Sequence, residues 1–380
     1  MKIAYVHSFY SSSQPSGENN AVNDQIAALR GAGHNVELIS RTTPAEPQSM
    51  TYKLRSAVAA TGLVGADPSD ELARFAPDIV HVHNLFPNFG TRWIEAWGAR
   101  TVATLHNFRT VCAAATLWRN GHDCVDCLRR GSLEAVRNKC YRNSMAATVP
   151  LAIATRNRGH HSRVLSDSAA IVTLNNGSEK LYRNLLDDKV TCIPNFSSDP
   201  GMMHLKRSGY LFAGRLTPEK GILDLAKNWR APHALQIIGS GPQEAEIRRV
   251  AAANPNITYH GAAPRDDLLL AMRQVRALII PSLWSEGIPT VALESLSVGT
   301  PIVVSDRVAA RAMLMSSKSG AEFDVEQPLT LDAALEQQGV VGPDSARNAR
   351  TIYEQLFAPS VWLGAIEKLY AAVLRGNTAN

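Results

Sequence analysis

Short β-branched apolar runs alternate with amphipathic stretches along most of the chain. KIAYVHSF (residues 2–9) reads as a strand, the polar loop SSSQPSGENN follows, and Val22, Ile26 and Leu29 then recur at helical spacing until Gly31 and Gly33 stop the run before the strand VELIS. That pattern is one βαβ unit. DIVHVHN, RTVATLHN, AAIVTLNN and VTCIPN supply further strands of the continuous apolar kind that parallel sheets bury on both faces. A Ser, Pro, Gly and Met rich passage from Phe196 to Gly209 separates them from a second series that begins at YLFAGR. The predicted fold class is therefore α/β, with two Rossmann-like doubly wound parallel-sheet domains over residues 1–200 and 205–355.

The densest chemistry lies in LWSEGIPTVALESLSVGTPIVVSD, residues 283–306. Gly287 and Pro289 break regular structure, and Val291, Leu293 and Leu296 then fall at helical spacing until Gly299 and Pro301 end the run. A helix beginning near Ile288 to Thr290 presents first-turn amides without intrahelical acceptors and the positive end of its dipole, which suits a diphosphate or a sugar hydroxyl. Glu286 stands just before that end and Glu294 about one turn inside it. A carboxylate there can accept both hydroxyls of a ribose; an ordinary acidic helix start is the plain alternative. The context decides between them. ALIIPSLWSEGIP places the turn after an apolar strand and PIVVSD follows as the next, so the loop belongs to the carboxyl edge of a parallel sheet, where open α/β folds bind ligands. Upstream, YLFAGRLTPEKGI puts Gly214, Arg215 and Lys220 on another strand-to-helix loop, two cations within reach of one diphosphate.

With these two motifs in this order, the chain resembles family 4 of the retaining GT-B glycosyltransferases, the group 1 glycosyl transferases, whose C-terminal domain carries a Gly-Arg…Lys-Gly loop and two glutamates separated by seven residues. The resemblance spans nearly the whole chain. It implies that Arg215 and Lys220 clamp the diphosphate, that Glu286 holds the transferred sugar, and that Glu294 accepts from the ribose. Gly214 and Gly287 belong to the same loops, and Ile288 and Thr290 would offer backbone N–H groups to the phosphates and the sugar. Gly17, in the loop after the first strand, would let backbone approach the donor, although many relatives have two glycines where this chain has Ser16 and Gly17. His106, at the end of RTVATLH, would touch the donor sugar as charge develops on its ring. The resemblance also implies that the domain of residues 1–200 is the acceptor side and that of residues 205–355 binds the nucleotide sugar across a shared cleft, with the last helix, about 360–376, packing back on the first domain. Asn195 and Phe196 replace the Asn-Gly that relatives often carry near the interdomain crossing.

The resemblance further implies a retaining transfer in which the diphosphate leaves C1, the acceptor approaches on the same face, and the departing phosphate oxygen takes the acceptor proton. No second carboxylate is then needed as nucleophile, unlike retaining glycosidases. No Asp-x-Asp triplet occurs in the sequence, so cationic side chains and a helix end are expected to hold the diphosphate without a metal cofactor. Removing Arg215 or Lys220 is expected to lower turnover by about a hundredfold to a thousandfold. The activity is that of a hexosyltransferase using a nucleotide-diphosphate sugar as co-substrate, with a glycan, a lipid-linked intermediate or a small natural product as acceptor. A GT-B-like nucleotide-sugar epimerase or phosphorylase is the alternative within the architecture.

Composition changes this picture little. A chain of 380 residues with 45% hydrophobic content suits two domains, no secretory leader is evident at KIAYVHSF, and no uninterrupted apolar run reads as a bilayer span. The expected location is cytoplasmic. A net charge of +5 admits a nucleic-acid binder, but no such module appears and aromatics are sparse at 6%. IIGSGPQE carries Gly239 and Gly241 but Glu244 where the dinucleotide fingerprint needs a third glycine, which argues against an NAD enzyme. Cys112, Cys124, Cys127 and Cys140 cluster after His106 with one Cys-x-x-Cys pair, a spacing that permits a structural zinc held by four thiolates; reduced, unliganded thiols are the alternative. His81 and His83 alternate onto one strand face as buried, hydrogen-bonded histidines rather than a metal pair. The same cysteine region is basic, with Arg119, Arg129, Arg130, Arg137, Lys139, Arg142, Arg156, Arg158 and Arg163 around the apolar SMAATVPLAIA, which admits a peripheral contact at the inner membrane face.

Overall fold

The computed structural model describes residues 1–10, 17–43, 58–160, 162–203, 205–316, 318–327 and 329–378. The chain divides into two compact units, one of Met1–Arg119, Asp123–Ile193 and Leu363–Asn380, the other of Asn120–His122 and Pro194–Trp362.

In the first unit, β1 (Lys2–Phe9), β2 (Asn35–Thr42), β3 (Ile79–Val82) and β4 (Thr101–Leu105) precede a small hairpin of β5 (Trp118–Arg119) and β6 (His122–Asp123), and β7 (Ala170–Thr173) and β8 (Val190–Cys192) complete the set. Six of them form one parallel sheet in the order β2-β1-β3-β4-β7-β8. Ile3 to Val6, Ile79, Val80, Val82, Val102 and Ala103 are buried, which is why these strands read as continuous apolar runs rather than alternating ones. Helix Gly17–Gly31 lays Ala21, Val22, Ile26 and Leu29 on the sheet. Gly17 is the first residue of that helix, not a loop residue as expected; the polar run 11–16 before it, Ser16 included, lies outside the described residues.

The second unit repeats the plan with β9 (Tyr210–Ala213), β10 (Leu235–Ile238), β11 (Ile257–Gly261), β12 (Ala277–Ile280), β13 (Ile302–Ser305) and β14 (Gly320–Phe323). All are parallel, in the order β11-β10-β9-β12-β13-β14. Buried side chains cover both faces, with Tyr210, Phe212, Ile237 and Ile279 on one and Leu211, Ile238, Leu278 and Val304 on the other. The doubly wound α/β fold read from the sequence is borne out. Consecutive connections leave a sheet in opposite directions between β1 and β3 and between β9 and β12, and the carboxyl ends of those strand pairs are where such a sheet forms a ligand crevice.

Helix Pro359–Thr378 closes the chain, and its part from Leu363 belongs to the first unit. There the Tyr370 hydroxyl lies 2.5 Å from His81 Nδ1, and Glu367 lies 2.7 Å from His34 Nε2. The helical run Ser345–Gly376 contains an 18-residue window of mean hydropathy 1.2, long and apolar enough for a bilayer span by length and composition. Within that run Ile352, Tyr353 and Phe357 are buried in the second unit and Ile366 and Tyr370 in the first.

Candidate active site

The loop after β9 and the loop after β12 bring the second unit's charged residues together. The turn Pro218–Lys220 is followed by Gly221 at φ +69°, where a Cβ would stand 2.0 Å from the Pro281 carbonyl oxygen. Only glycine lets the turn come that close to the end of β12. The Leu283 N–H donates to the Glu219 carbonyl at 2.9 Å and ties the two loops. Lys220 Nζ consequently reaches Glu286 Oε1 in an ion pair, and Ser282 Oγ donates to Glu286 Oε2. Ser305, at the end of β13, donates to the Ser282 carbonyl at 2.6 Å and holds that serine in place. Glu286 is buried and Lys220 nearly so. Similarly, a Cβ on Gly239 would lie 1.8 Å from the Gly214 carbonyl oxygen, so the glycine turn after β10 is what allows it to lie against the Gly214 loop.

Arg215 is placed differently from its expected partner. Its side chain is 59% exposed and lies 3.5 Å from Glu219, which also accepts from Thr217 Oγ1 at 2.7 Å. The two cations expected to share one diphosphate therefore each have a carboxylate of their own. Helix Thr290–Ser297 starts after Pro289, as read from the sequence, with Ile288 packed against the core and Gly287 in the preceding loop. Glu294, on that helix, accepts from Arg265 Nε at 2.8 Å. Arg265, from the loop and helix after β11, was not anticipated.

In the first unit, His106 follows the last residue of β4 and its Nε2 lies 2.8 Å from His83 Nδ1. His81 spends both ring nitrogens, on Tyr370 at 2.5 Å and on Thr104 Oγ1 at 2.7 Å, and His7 Nε2 lies 3.2 Å from Asn19 Oδ1. Burial keeps the cluster neutral, reinforced by neighbouring imidazoles at His81, His83 and His106 and opposed by the Asn19 hydrogen bond at His7: His106 and His81 are pushed down to about 3, His7 to about 4, and His83 well below the usual imidazole range.

A half-open pocket adjoins His83 and His106. It contains a carboxylate and a guanidinium that the sequence reading missed. Glu18, in the first turn of helix Gly17–Gly31, is half-buried as a residue, but its Oε1 is sealed from solvent and has no hydrogen-bond partner. Burial pushes its carboxyl up to about 7 against the opposing pull of Arg109 and of a hydrogen bond from Asn107. Arg109 lies over the rings of Phe86, at 4.8 Å, and Tyr141, at 5.7 Å, and donates to the Ala113 carbonyl. A glutamate in a helix's first turn reads as a dipole complement in one dimension. The usable signal was the polar pair Asn107 and Arg109 directly after His106.

The four cysteines do converge, since Cys112, Cys140 and Cys124 all act on the Cys127 thiol. Among the described residues no group of three or more His, Cys, Asp or Glu side chains is placed to hold a metal, so the zinc expected from the spacing has no preformed site. Cys127 and Cys140 pack against the apolar cluster of Ala113, Ala135, Leu151 and Ala152. Burial there, reinforced by the neighbouring thiols, holds Cys127 up at about 12 and raises Cys140, so both stay neutral.

Residues 207–337, which span the loops of Arg215, Lys220, Glu286 and Glu294, match the family model described as Glycosyl transferases group 1. The group 1 resemblance read from the motifs is thus borne out. The O-antigen chain mannosyltransferase C of Escherichia coli is 26% identical over 179 residues, 44% of this chain and 48% of that protein. The chain spans about half the length of that curated relative. Among solved structures, sucrose-phosphate synthase from Thermosynechococcus elongatus is similar with a TM-score of 0.68 at 14% identity, over 99% of each chain. Anabaena HepE in complex with UDP-glucose is similar with a TM-score of 0.61 at 14% identity, over 98% of this chain and 100% of that one. The fold is GT-B, as expected from the sequence.

Proposed function

We propose that the protein is a retaining glycosyltransferase that moves a hexose from a nucleotide-diphosphate sugar to a hydroxyl of a carbohydrate acceptor. The observation that carries this reading is the group formed by Lys220, Glu286 and Ser282 at the carboxyl ends of β9 and β12, the crevice of the second sheet. A donor diphosphate would draw Lys220 from Glu286 and recruit the exposed Arg215, and Glu286 would then accept from hydroxyls of the transferred sugar. The first-turn amides of helix Thr290–Ser297 would add donors to the phosphates, and Glu294, held by Arg265, would receive the ribose. Charge fixed in place before the reaction stabilises the departing diphosphate without reorganisation. The leaving phosphate oxygen takes the acceptor proton, so the sequence's lack of an Asp-x-Asp triplet is no obstacle. The relative named as an O-antigen chain mannosyltransferase makes mannose the first donor sugar to test and a bacterial glycan the first acceptor.

Calorimetric titration of UDP, GDP and ADP, without added metal, into the wild-type protein and Glu294→Ala tests the reading. One nucleotide should bind tightly and weaken in the variant by roughly tenfold to a hundredfold, the scale of one charge-assisted hydrogen bond at about 1.5–3 kcal/mol. Absence of binding by all three would overturn it. A peripheral membrane contact has its own support: Met145, Val149 and Ile153 project from helix Met145–Ala154 at four-residue spacing, exposed, with Arg142 and Arg156 exposed beyond its two ends. Flotation with anionic but not neutral liposomes is expected, and equal behaviour with both would remove the contact.

A further inference from the structure

We infer that His83 is a positioning residue that sets the proton of His106 on Nδ1, so that His106 meets its ligand as a neutral hydrogen-bond donor and not as a base. The inference rests on the transferase reading and adds to it the residue that stands behind the strand-end histidine.

His83 Nδ1 and His106 Nε2 lie 2.8 Å apart, and His83 is the one hydrogen-bond partner of His106 among the described residues. Burial keeps both rings neutral, so one nitrogen of the pair donates and the other accepts. Two arrangements satisfy that bond. If His106 donates from Nε2, His83 carries its own proton on Nε2, which is buried without a partner, and an N–H is left unpaired in the interior. If His83 donates from Nδ1, its buried Nε2 is a bare nitrogen, and the proton of His106 sits on Nδ1. An unpaired buried N–H is the rarer of the two outcomes. His7, in the same cluster, has made the same choice. Its Nε2 lies 3.2 Å from Asn19 Oδ1, an oxygen that also accepts from the Tyr10 N–H at 3.4 Å, so Nε2 is the donor and the buried, unpartnered Nδ1 is bare.

The packing holds His83 to this arrangement. Tyr5 stacks on its ring with centroids 5.0 Å apart and planes 23° apart, and His81 lies 4.4 Å away at 32°. His81 has no nitrogen to lend, since its Nδ1 lies 2.5 Å from the Tyr370 hydroxyl and its Nε2 2.7 Å from Thr104 Oγ1. The stack thus orients His83, and the bond from His83 orients His106. Which imidazole nitrogen carries the proton follows from the bond that the other one makes. Here that bond leaves the Nδ1–H of His106, a half-buried residue, for the pocket it borders. An N–H there can meet a sugar hydroxyl or ring oxygen. With Nε2 already accepting from His83 and Nδ1 protonated, no lone pair remains to take a proton from an acceptor hydroxyl, in keeping with a transfer whose leaving phosphate oxygen takes that proton.

The test uses the full chain with isotope-labelled histidine and two-bond nitrogen–hydrogen correlation NMR near neutral pH, which reports the protonated nitrogen of each ring. Nδ1–H is expected for His83 and His106 and Nε2–H for His7 in the wild type. His83→Phe keeps an aromatic ring in the stack and removes the partner, and His106 should then turn to the Nε2–H form that free histidine favours in water. Unchanged His7 and His81 signals show that the variant is folded. Its kcat for nucleotide release from GDP-mannose or UDP-glucose should fall by about tenfold, with KM for the donor within about twofold, less than the outright loss of a preorganised donor. Nε2–H on His106 in the wild type would overturn the inference whatever the variant does, and so would an unchanged kcat in a variant whose His106 has changed tautomer. A wild type that binds none of UDP, GDP and ADP, with Nδ1–H still on His106, would instead overturn the transferase reading and leave the placement of the proton standing.

Discussion

The two sheets follow one plan but treat their functional polar groups in opposite ways. In the second unit every carboxylate of the candidate donor site is already answered, Glu286 by Lys220 and Ser282 and Glu294 by Arg265. In the first unit Glu18 Oε1 and His83 Nε2 are buried without a hydrogen-bond partner. A buried group without a partner costs about 1–3 kcal/mol, whereas a paired one costs little and is held in position. The second unit thus keeps its charges ordered among themselves and exchanges partners when an anion arrives. The first carries an instability at those buried atoms. The contrast fits a donor with fixed charge, which demands preorganised countercharge.

The strongest way to break this comparison is at the paired side. Lys220→Ala leaves Glu286 buried with Ser282 alone and removes the cation expected to meet the diphosphate. Turnover at saturating donor should fall by about a hundredfold to a thousandfold. Turnover within a few-fold of the wild type would mean that the ion pair is structural, and the donor side would lose its claim to preorganised charge.

A second prediction sharpens the comparison through pH. His7, His81, His83 and His106 all belong to the first unit and are held neutral by burial, with His7 pushed down to about 4 and His81 and His106 to about 3. Their folded values lie below the unfolded value of 6.5, so the unfolded chain takes up protons first as pH falls. Their contribution to stability is complete above about pH 6.5 and is lost progressively as pH falls toward 4 and then 3. Thermal melts should therefore show a Tm that drops between pH 7 and pH 5, with hydrogen exchange placing the early opening in β1, β3 and β4. A Tm that is level over that interval would show that the cluster is already protonated or solvated.

The contrast between the units also explains what could be read in one dimension. Lys220, Gly221 and Glu286 lie on two strand-to-helix loops and Glu294 on the helix that follows the second, each adjacent in the chain to its strand, so the meeting of the two loops follows from the doubly wound topology alone. Gly221 is the case in point, since its neighbour across space, Pro281, ends a strand that the apolar pattern located. Glu18, Asn84 and Arg109 come from a helix start and two strand ends far apart in sequence, and no periodicity joins them. The cysteines show the converse: their spacing correctly suggested that they meet, but not that Cys127 and Cys140 would pack into an apolar cluster with Ala135 and Leu151. Arg265 was missed because an arginine that opens a helix after a proline looks like any solvated one.

The smallest expected effect isolates the unanswered side. Glu18→Gln keeps the shape of the side chain and removes its ionisation. In the folded protein the carboxyl is pushed up to about 7 by burial, with Arg109 and Asn107 opposing, from an ordinary value of 4.5. The folded state therefore holds a proton that the unfolded chain has released between these two values, and wild-type stability declines as pH rises through that interval. Glutamine has no such dependence. The variant should match the wild type near pH 4.5, gain on it up to about pH 7, and keep a constant advantage above. Because the residue is only half-buried, solvent screening limits the advantage to about 1 kcal/mol, or about 2–4 °C in the melting of a unit of this size. Stability gained by deleting a charge is the signature of a group that the fold itself does not require. Equal melting of the two proteins at pH 8 would show that Glu18 is ionised at no cost to the fold.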